Sequence, residues 1–282
     1  MKNKVIDLTS GEERALYNLN DSEVVNCTFA GPEDGESALK EARNIDCVNC
    51  NFNLRYPLWH VKKFTLNDSK MSETCRAPMW YSIDGVIRNT YITGVKALRE
   101  CKNISIYDSK IVSDEFGWNT ININLKDVEI SSMYLLFGAK NIKCDNIKQS
   151  GKYTYQYVKN CVITNSVLDT KDAFWHSKNC LIMDSVVKGE YLAWYSENLT
   201  LINCKISGTQ PFCYAKNLKL INCTMEGCDL AFEYSSVKAS IIGDVVSIKN
   251  PLKGKITLTG TTTIISDNPV YKTNCKIIQG VK

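Results

Sequence analysis

The chain has 282 residues, 44% apolar and 23% charged, a globular composition without a polar low-complexity tract. Its net charge of +4 argues for neither nucleic acid nor an anionic membrane as partner, and no apolar run reaches the roughly 18 residues of a membrane helix. The 13 cysteines are odd in number and include only one CxxC, "CVNC" at Cys47–Cys50, so they read as reduced thiols acting as small apolar groups rather than as disulfide or metal ligands.

The opening "MKNKVIDLTSGEERALY" has no apolar core followed by a cleavage site. No secretory signal is therefore expected, and the expected location is cytoplasmic. Residues 1–20 are expected to form an N-terminal cap and the entry to the first coil.

From Asp21 onward one phrase repeats. Taking Asn103 as reference, steps of 19 land on Asn122, Asn141, Asn160, Asn179, Asn198 and Asn217, then on Ser236. Backwards, the equivalents are Asp84, Lys63, Asn44 and Asp21, at steps of 19, 21, 19 and 23. After each reference residue alternate positions are apolar, as in Ile104 and Ile106 or Leu199 and Leu201. A polar corner follows ("NC", "DS" or "NS"), then another apolar residue, then a turn. Each copy thus reads as three short strands separated by corners. Such strands cannot stand alone. Stacked as coils they bond to the copies on either side, which predicts an all-β, three-faced parallel β-helix of about twelve 19-residue coils over residues 21–240. The Asn column is expected to adopt left-handed corners and bond along the stack, with Cys27, Cys50, Cys204 and Cys223 as core fillers.

Two further columns carry the chemistry. Four residues before each reference stand Tyr17, Lys40, Trp59, Trp80, Arg99, Trp118, Phe137, Gln156, Trp175, Trp194, Cys213 and Phe232, which include all five tryptophans. The next column includes Glu41, His60, Tyr81, Glu100, Tyr157, His176, Tyr195, Tyr214 and Glu233, and so holds both histidines. The columns on either side are apolar or small, so these two are expected to share the outer side of a bend as an exposed aromatic stripe. It admits two readings: stacked aromatics that strengthen packing, or a platform for an extended ligand.

The second to fifth coils concentrate charge, with Glu36, Lys40, Glu41, Arg55, His60, Arg76, Arg99 and Glu100. They also contain both departures from the 19-residue step, the longer around Pro32 to Asp34. Glu41, His60 and Glu100 are the candidate catalytic residues, with a hydrogen-bonded Glu41–His60 pair and with Lys40 and Arg99 as anion partners. Arg55, Trp59, Arg76, Trp80, Tyr81, Trp118, Trp175, His176, Trp194, Tyr195, Tyr214 and Glu233 complete the candidate binding set. Glu41 and Glu100 lie three coils apart, roughly 14 Å at the strand spacing, beyond the roughly 5–9.5 Å of a glycosidase carboxylate pair. No column stacks carboxylates on adjacent coils, so no metal site and no cofactor are expected. After Ser236 the phrase dissolves, and residues 241–282 are expected to form irregular last coils and a C-terminal extension.

The phrases "GEERALY", "GPEDGESALKEARNI", "NLRYPLWH", "KALRECKNI", "DAFWHSKN", "GEYLAWYSENL" and "DLAFEYS" resemble the bacterial domain of unknown function family 3737. That family is grouped with the pectate-lyase-like right-handed parallel β-helices. The resemblance implies the fold and the hand of the coil and brings no activity with it. The expected function is binding, and conceivably processing, of a carbohydrate or glycoconjugate on the stripe. The alternative is a non-catalytic scaffold that docks a protein or a second copy of itself through the same face.

Overall fold

A computed structural model describes residues 2–31 and 36–281, and the insertion around Pro32 to Asp34 falls outside them. The described residues form strands and turns, with one short 3-10 turn at Glu73–Cys75. The chain divides into two compact units, Met1–Lys143 and Cys144–Lys282.

In the first unit the long strands include Asn20–Val25, Arg43–Val48, Lys62–Asn67, Ile83–Arg88, Lys102–Tyr107 and Ile121–Lys126. They pair in parallel at the repeat step, Ile45 opposite Phe64 and Ile104 opposite Ile123. Short strands such as Thr28–Phe29, Asn51–Phe52 and Lys70–Met71 form a second face in the same way. Within residues 1–20, Asn3–Ile6 pairs in register with Asn20–Val25, and Thr9–Ser10 with Thr28–Phe29. The second unit repeats the plan with Lys159–Thr164, Lys178–Met183, Glu197–Ile202, Leu218–Cys223, Ser236–Ile241 and Lys253–Leu258. Its tail returns to the sheet as Lys276–Ile278, paired with Lys253–Leu258. The protein is a parallel β-solenoid.

The alternating apolar positions fill the coils. Phe29, Phe52, Met71, Ile92 and Ile111 are fully buried in the first unit, and Leu168, Val187 and Met225 in the second. The cysteines at the corners are buried and unpaired, as expected. The corner amides form ladders. Asn122 Nδ2 donates to Asn103 Oδ1 (2.7 Å) and Asn217 Nδ2 to Asn198 Oδ1 (2.8 Å). A second ladder joins Asn49 to Asn26 and Asn203 to Asp184.

The third side differs from expectation. In place of a strand, most coils make a turn in which alternate residues are left-handed, as Asp172, Phe174 and His176 do with φ of 52°, 59° and 54°, whereas Val245–Lys249 and Thr262–Ile265 pair as strands. Inter-coil bonding survives because successive left-handed residues donate in opposite directions. Phe174 N donates to Thr154 O (2.9 Å) and His176 N to Trp194 O (3.0 Å). A strand and this turn both alternate inward and outward, so the sequence pattern cannot separate them. Left-handed geometry disfavours branching at Cβ, and among the described residues no positive-φ residue is Val, Ile or Thr. Histidine, tyrosine and asparagine tolerate it better, which is a backbone reason for finding both histidines in one column. At buried Leu136 (φ 55°), Leu136→Met is expected to cost under about 1.5 kcal/mol. Leu136→Ile should cost about 2 kcal/mol more from the backbone alone. Urea midpoints of the two variants check this.

Candidate functional site

The turn face positions both aromatic columns. Its left-handed residues just before the tryptophan column, such as Leu58 and Phe174, are buried. The following residue and the one after it are pushed outward, as the sequence pattern indicated. In the first unit Trp59 and Trp80 stack with centroids 5.1 Å apart and planes within 5°. Lys40 Nζ lies 5.9 Å from the Trp59 ring. The Arg99 guanidinium sits between Trp80 and Trp118, 4.8 and 4.7 Å from the two rings. In the second unit Trp175 and Trp194 stack at 5.5 Å.

The expected exposed tryptophan stripe is in fact half-buried. Every indole N–H donates to a backbone carbonyl of the next coil: Trp59 to Ala77 (2.7 Å), Trp80 to Lys96 (2.5 Å), Trp118 to Tyr134 (2.8 Å), Trp175 to Tyr191 (2.7 Å) and Trp194 to Gln210 (2.8 Å). Gln156 makes the same bond to Asp172 O through its amide, 2.9 Å. This column ties coil to coil. Its last members turn inward, Cys213 and Phe232 being fully buried. An extra residue near 230 seats Phe232 on Phe212, 5.7 Å between centroids, and carries Glu233 one column away from its expected place. Glu233 there pairs with Lys249 at 3.0 Å, and Tyr234 takes the rung next to Tyr214.

The histidine–tyrosine column is the exposed one. Tyr157, His176, Tyr195 and Tyr214 form a continuous ring stack with centroid spacings of 5.0, 5.0 and 4.9 Å and planes within 9°. Tyr157 and Tyr195 are 48% and 45% exposed. Since each face covers its neighbour, the stack presents ring edges to solvent. The ring polar atoms of His176, Tyr195 and Tyr214 have no hydrogen-bond partner among the described residues. Partial burial, with Glu233 adding to it, raises the Tyr214 hydroxyl above its ordinary pKa. Asp172 does not join this stack. It is buried, and burial raises its carboxyl above the usual range.

In the first unit the same column runs Glu41, His60, Tyr81, Glu100. Glu41 and His60 are neighbours, but His60 Nδ1 stands 3.7 Å from Glu41 Oε1, too far for the expected hydrogen bond. Arg43 holds the other Glu41 oxygen at 2.9 Å and also donates to the His60 carbonyl at 2.6 Å. His60 rests against Tyr81 with centroids 5.0 Å apart. Glu100 is exposed but three coils from Glu41 by strand register, so the structure does not bring the two carboxylates together. Arg99 is not an open anion partner: it is bound to Glu115 at 2.6 Å and enclosed by two indoles. Arg55 lies 3.8 Å from Glu36, and Arg76 is exposed at the end of the 3-10 turn. No group of His, Cys, Asp or Glu among the described residues is arranged to hold a metal ion. Within "CVNC", the Cys47 thiol lowers buried Cys50 to about 7. Neither the indole–carbonyl bonds nor Arg43 as the brace on Glu41 was legible in the residue pattern.

A family model described as "Protein of unknown function (DUF3737)" matches residues 3–278. No curated protein matches the chain. Similar solved structures include HetL, a pentapeptide repeat protein from the cyanobacterium Nostoc sp. strain PCC 7120 (11% identity, 78% of this chain and 91% of that one, TM-score 0.35). The A-module of the mannuronan C-5 epimerase AlgE4 of Azotobacter vinelandii is similar at 10% identity, over 99% and 89% of the two chains, TM-score 0.35. PfbA, a surface adhesin of Streptococcus pneumoniae, is similar at 12% identity, over 98% and 77%, TM-score 0.33.

Proposed function

The chain belongs to the DUF3737 family, whose description assigns no activity, and from that premise we propose that it binds a carbohydrate or glycoconjugate along the histidine–tyrosine column. The observation that carries this reading is the row of outward ring edges at 4.9–5.0 Å. Phenol and imidazole both donate and accept, so the row offers paired functions at even intervals to the hydroxyls of an extended sugar chain. Recognition is by edge hydrogen bonds rather than by stacking on indole faces, since the ring faces cover one another. Trp175 and Trp194 brace the coils beside this row. Any proton transfer would fall to the Glu41–His60 pair, with Arg43 fixing the carboxylate, Tyr81 fixing the ring and Glu100 contributing ligand contact only.

A glycan array probed with wild type and with His176→Ala/Tyr195→Ala tests the reading. Two polar edges removed should weaken binding tenfold or more, about 1.4 kcal/mol, while the fold is retained by circular dichroism. Unchanged glycan binding would refute it. So would the absence of any glycan signal together with self-association that the same variant abolishes.

A further inference from the structure

The outer face of the last strands of the second unit carries charge of one sign. Lys219 pairs with Lys238, Lys238 with Lys255, and Lys255 with Lys276, so four lysines stand directly opposite one another on successive strands. Lys253 flanks them beside Ser236. The strands Leu218–Cys223, Ser236–Ile241, Lys253–Leu258 and Lys276–Ile278 contain these five lysines and no Asp or Glu. All five are exposed, and among the described residues none makes an ion pair. Some other lysines of this unit do meet a carboxylate, as Lys178 does Glu197 at 2.9 Å and Lys171 does Glu190 at 2.8 Å.

Like charges directly opposite across strands are destabilising. At a strand spacing of ~4.8 Å each ammonium sits inside the Debye length of the next, about 8 Å at physiological salt. A column of four is relieved by an anion that repeats along it. The face is also grooved. A cavity of about 530 Å³ runs over Ile221, Ala239, Ser240 and Thr257 on one side of Lys238 and Lys255. A second, about 480 Å³, lies over Asn217, Ser236 and Asn274 on the other. Gly254 borders both. Its φ is 119°, and a Cβ there would meet Val237 O at 1.9 Å, so only glycine fits between the two hollows.

We propose that this face binds a linear acidic polysaccharide, whose negative groups pair with Lys219, Lys238, Lys255 and Lys276 while the sugar rings lie in the grooves. The groove walls contain no aromatic side chain on which nucleobases stack. A polymer of rigid rings with regularly spaced charge therefore fits better than single-stranded nucleic acid. This site is separate from the histidine–tyrosine column and does not rest on the reading given for it.

The test is titration of the full chain with carboxymethylcellulose, with hydroxyethylcellulose as the uncharged chain of the same backbone and oligothymidylate as the nucleic-acid probe. The expected result is binding of the carboxymethylated chain only. Lys238→Gln/Lys255→Gln should weaken it at least tenfold and flatten the dependence of log K on log salt by roughly one to two. Lys148→Gln/Lys188→Gln, which removes the same charge from the strands Lys148–Ser150 and Val186–Lys188 of the same unit, should leave it unchanged, which separates this face from a general effect of net charge. No binding of the carboxymethylated chain, binding insensitive to the lysine double variant, or equal or tighter binding of oligothymidylate would overturn the proposal.

Discussion

Gly208→Ala is expected to destabilise the protein by at least about 3 kcal/mol, because no rotamer relieves the conflict it creates. Gly208 has φ of 126°, and a Cβ there would stand 2.1 Å from the carbonyl oxygen of Gly189 and 2.5 Å from its carbon. Gly189, one coil before, is in the same state, with φ of 150° and an added Cβ 2.1 Å from Thr170 O. The coils touch backbone to backbone at this corner, so a methyl group must force two hydrogen-bonded coils apart. At roughly 2–4 °C per kcal/mol the midpoint should fall by about 6 °C or more. Gly227→Ala is the matched control: φ is 71°, but nothing lies within 4 Å of the added atom, and about 1 kcal/mol of backbone strain is the whole expected effect. Calorimetry of the two variants decides the matter, and equal midpoints would contradict the tight-corner account.

The second large effect concerns the indole column. Trp80→Ala removes three things at once: the stack on Trp59, the N–H bond to Lys96 O, and one of the two rings enclosing Arg99. Arg99 Nε is already buried without a hydrogen-bond partner. Loss of the ring exposes a guanidinium that Glu115 and the Trp118 ring then hold. For a half-buried tryptophan the expected loss is about 3 kcal/mol, the lower end for Trp→Ala. Trp80→Phe keeps a ring in the stack and gives up the N–H bond, for about 1 kcal/mol. Urea unfolding of both variants separates packing from hydrogen bonding. A Trp80→Ala protein as stable as Trp80→Phe would show that the column is surface decoration.

Much of the architecture was legible because a coil of fixed length turns sequence period into spatial column. The step from Asn103 to Asn122 to Asn141 is the same step that carries each amide onto the oxygen of the residue before it. The direction of the tryptophan and histidine columns also followed from their apolar neighbours. What escaped was geometry that leaves no trace in polarity. An alternating left-handed turn and a strand bury the same positions, so the third face read as a strand. Indole–carbonyl bonds use a backbone acceptor that every residue possesses, so a tryptophan column looks the same whether it binds ligand or braces coils. The extra residue that turned Phe232 inward and displaced Glu233 came where the phrase weakens. The lysine column was hidden for a related reason. "LKL", "VKA", "GKI" and "CKI" carry it at Lys219, Lys238, Lys255 and Lys276, but the last two steps depart from 19, and only the strand register restores the alignment.

The paired indoles have a further use. Trp59 with Trp80, and Trp175 with Trp194, stack nearly parallel at 5.1 and 5.5 Å. Chromophores held so closely share their electronic excitation, so each half of the chain carries an intrinsic optical reporter whose near-ultraviolet dichroism exists only while neighbouring turns remain in contact. The unravelling of each half can therefore be followed spectroscopically without attaching a dye.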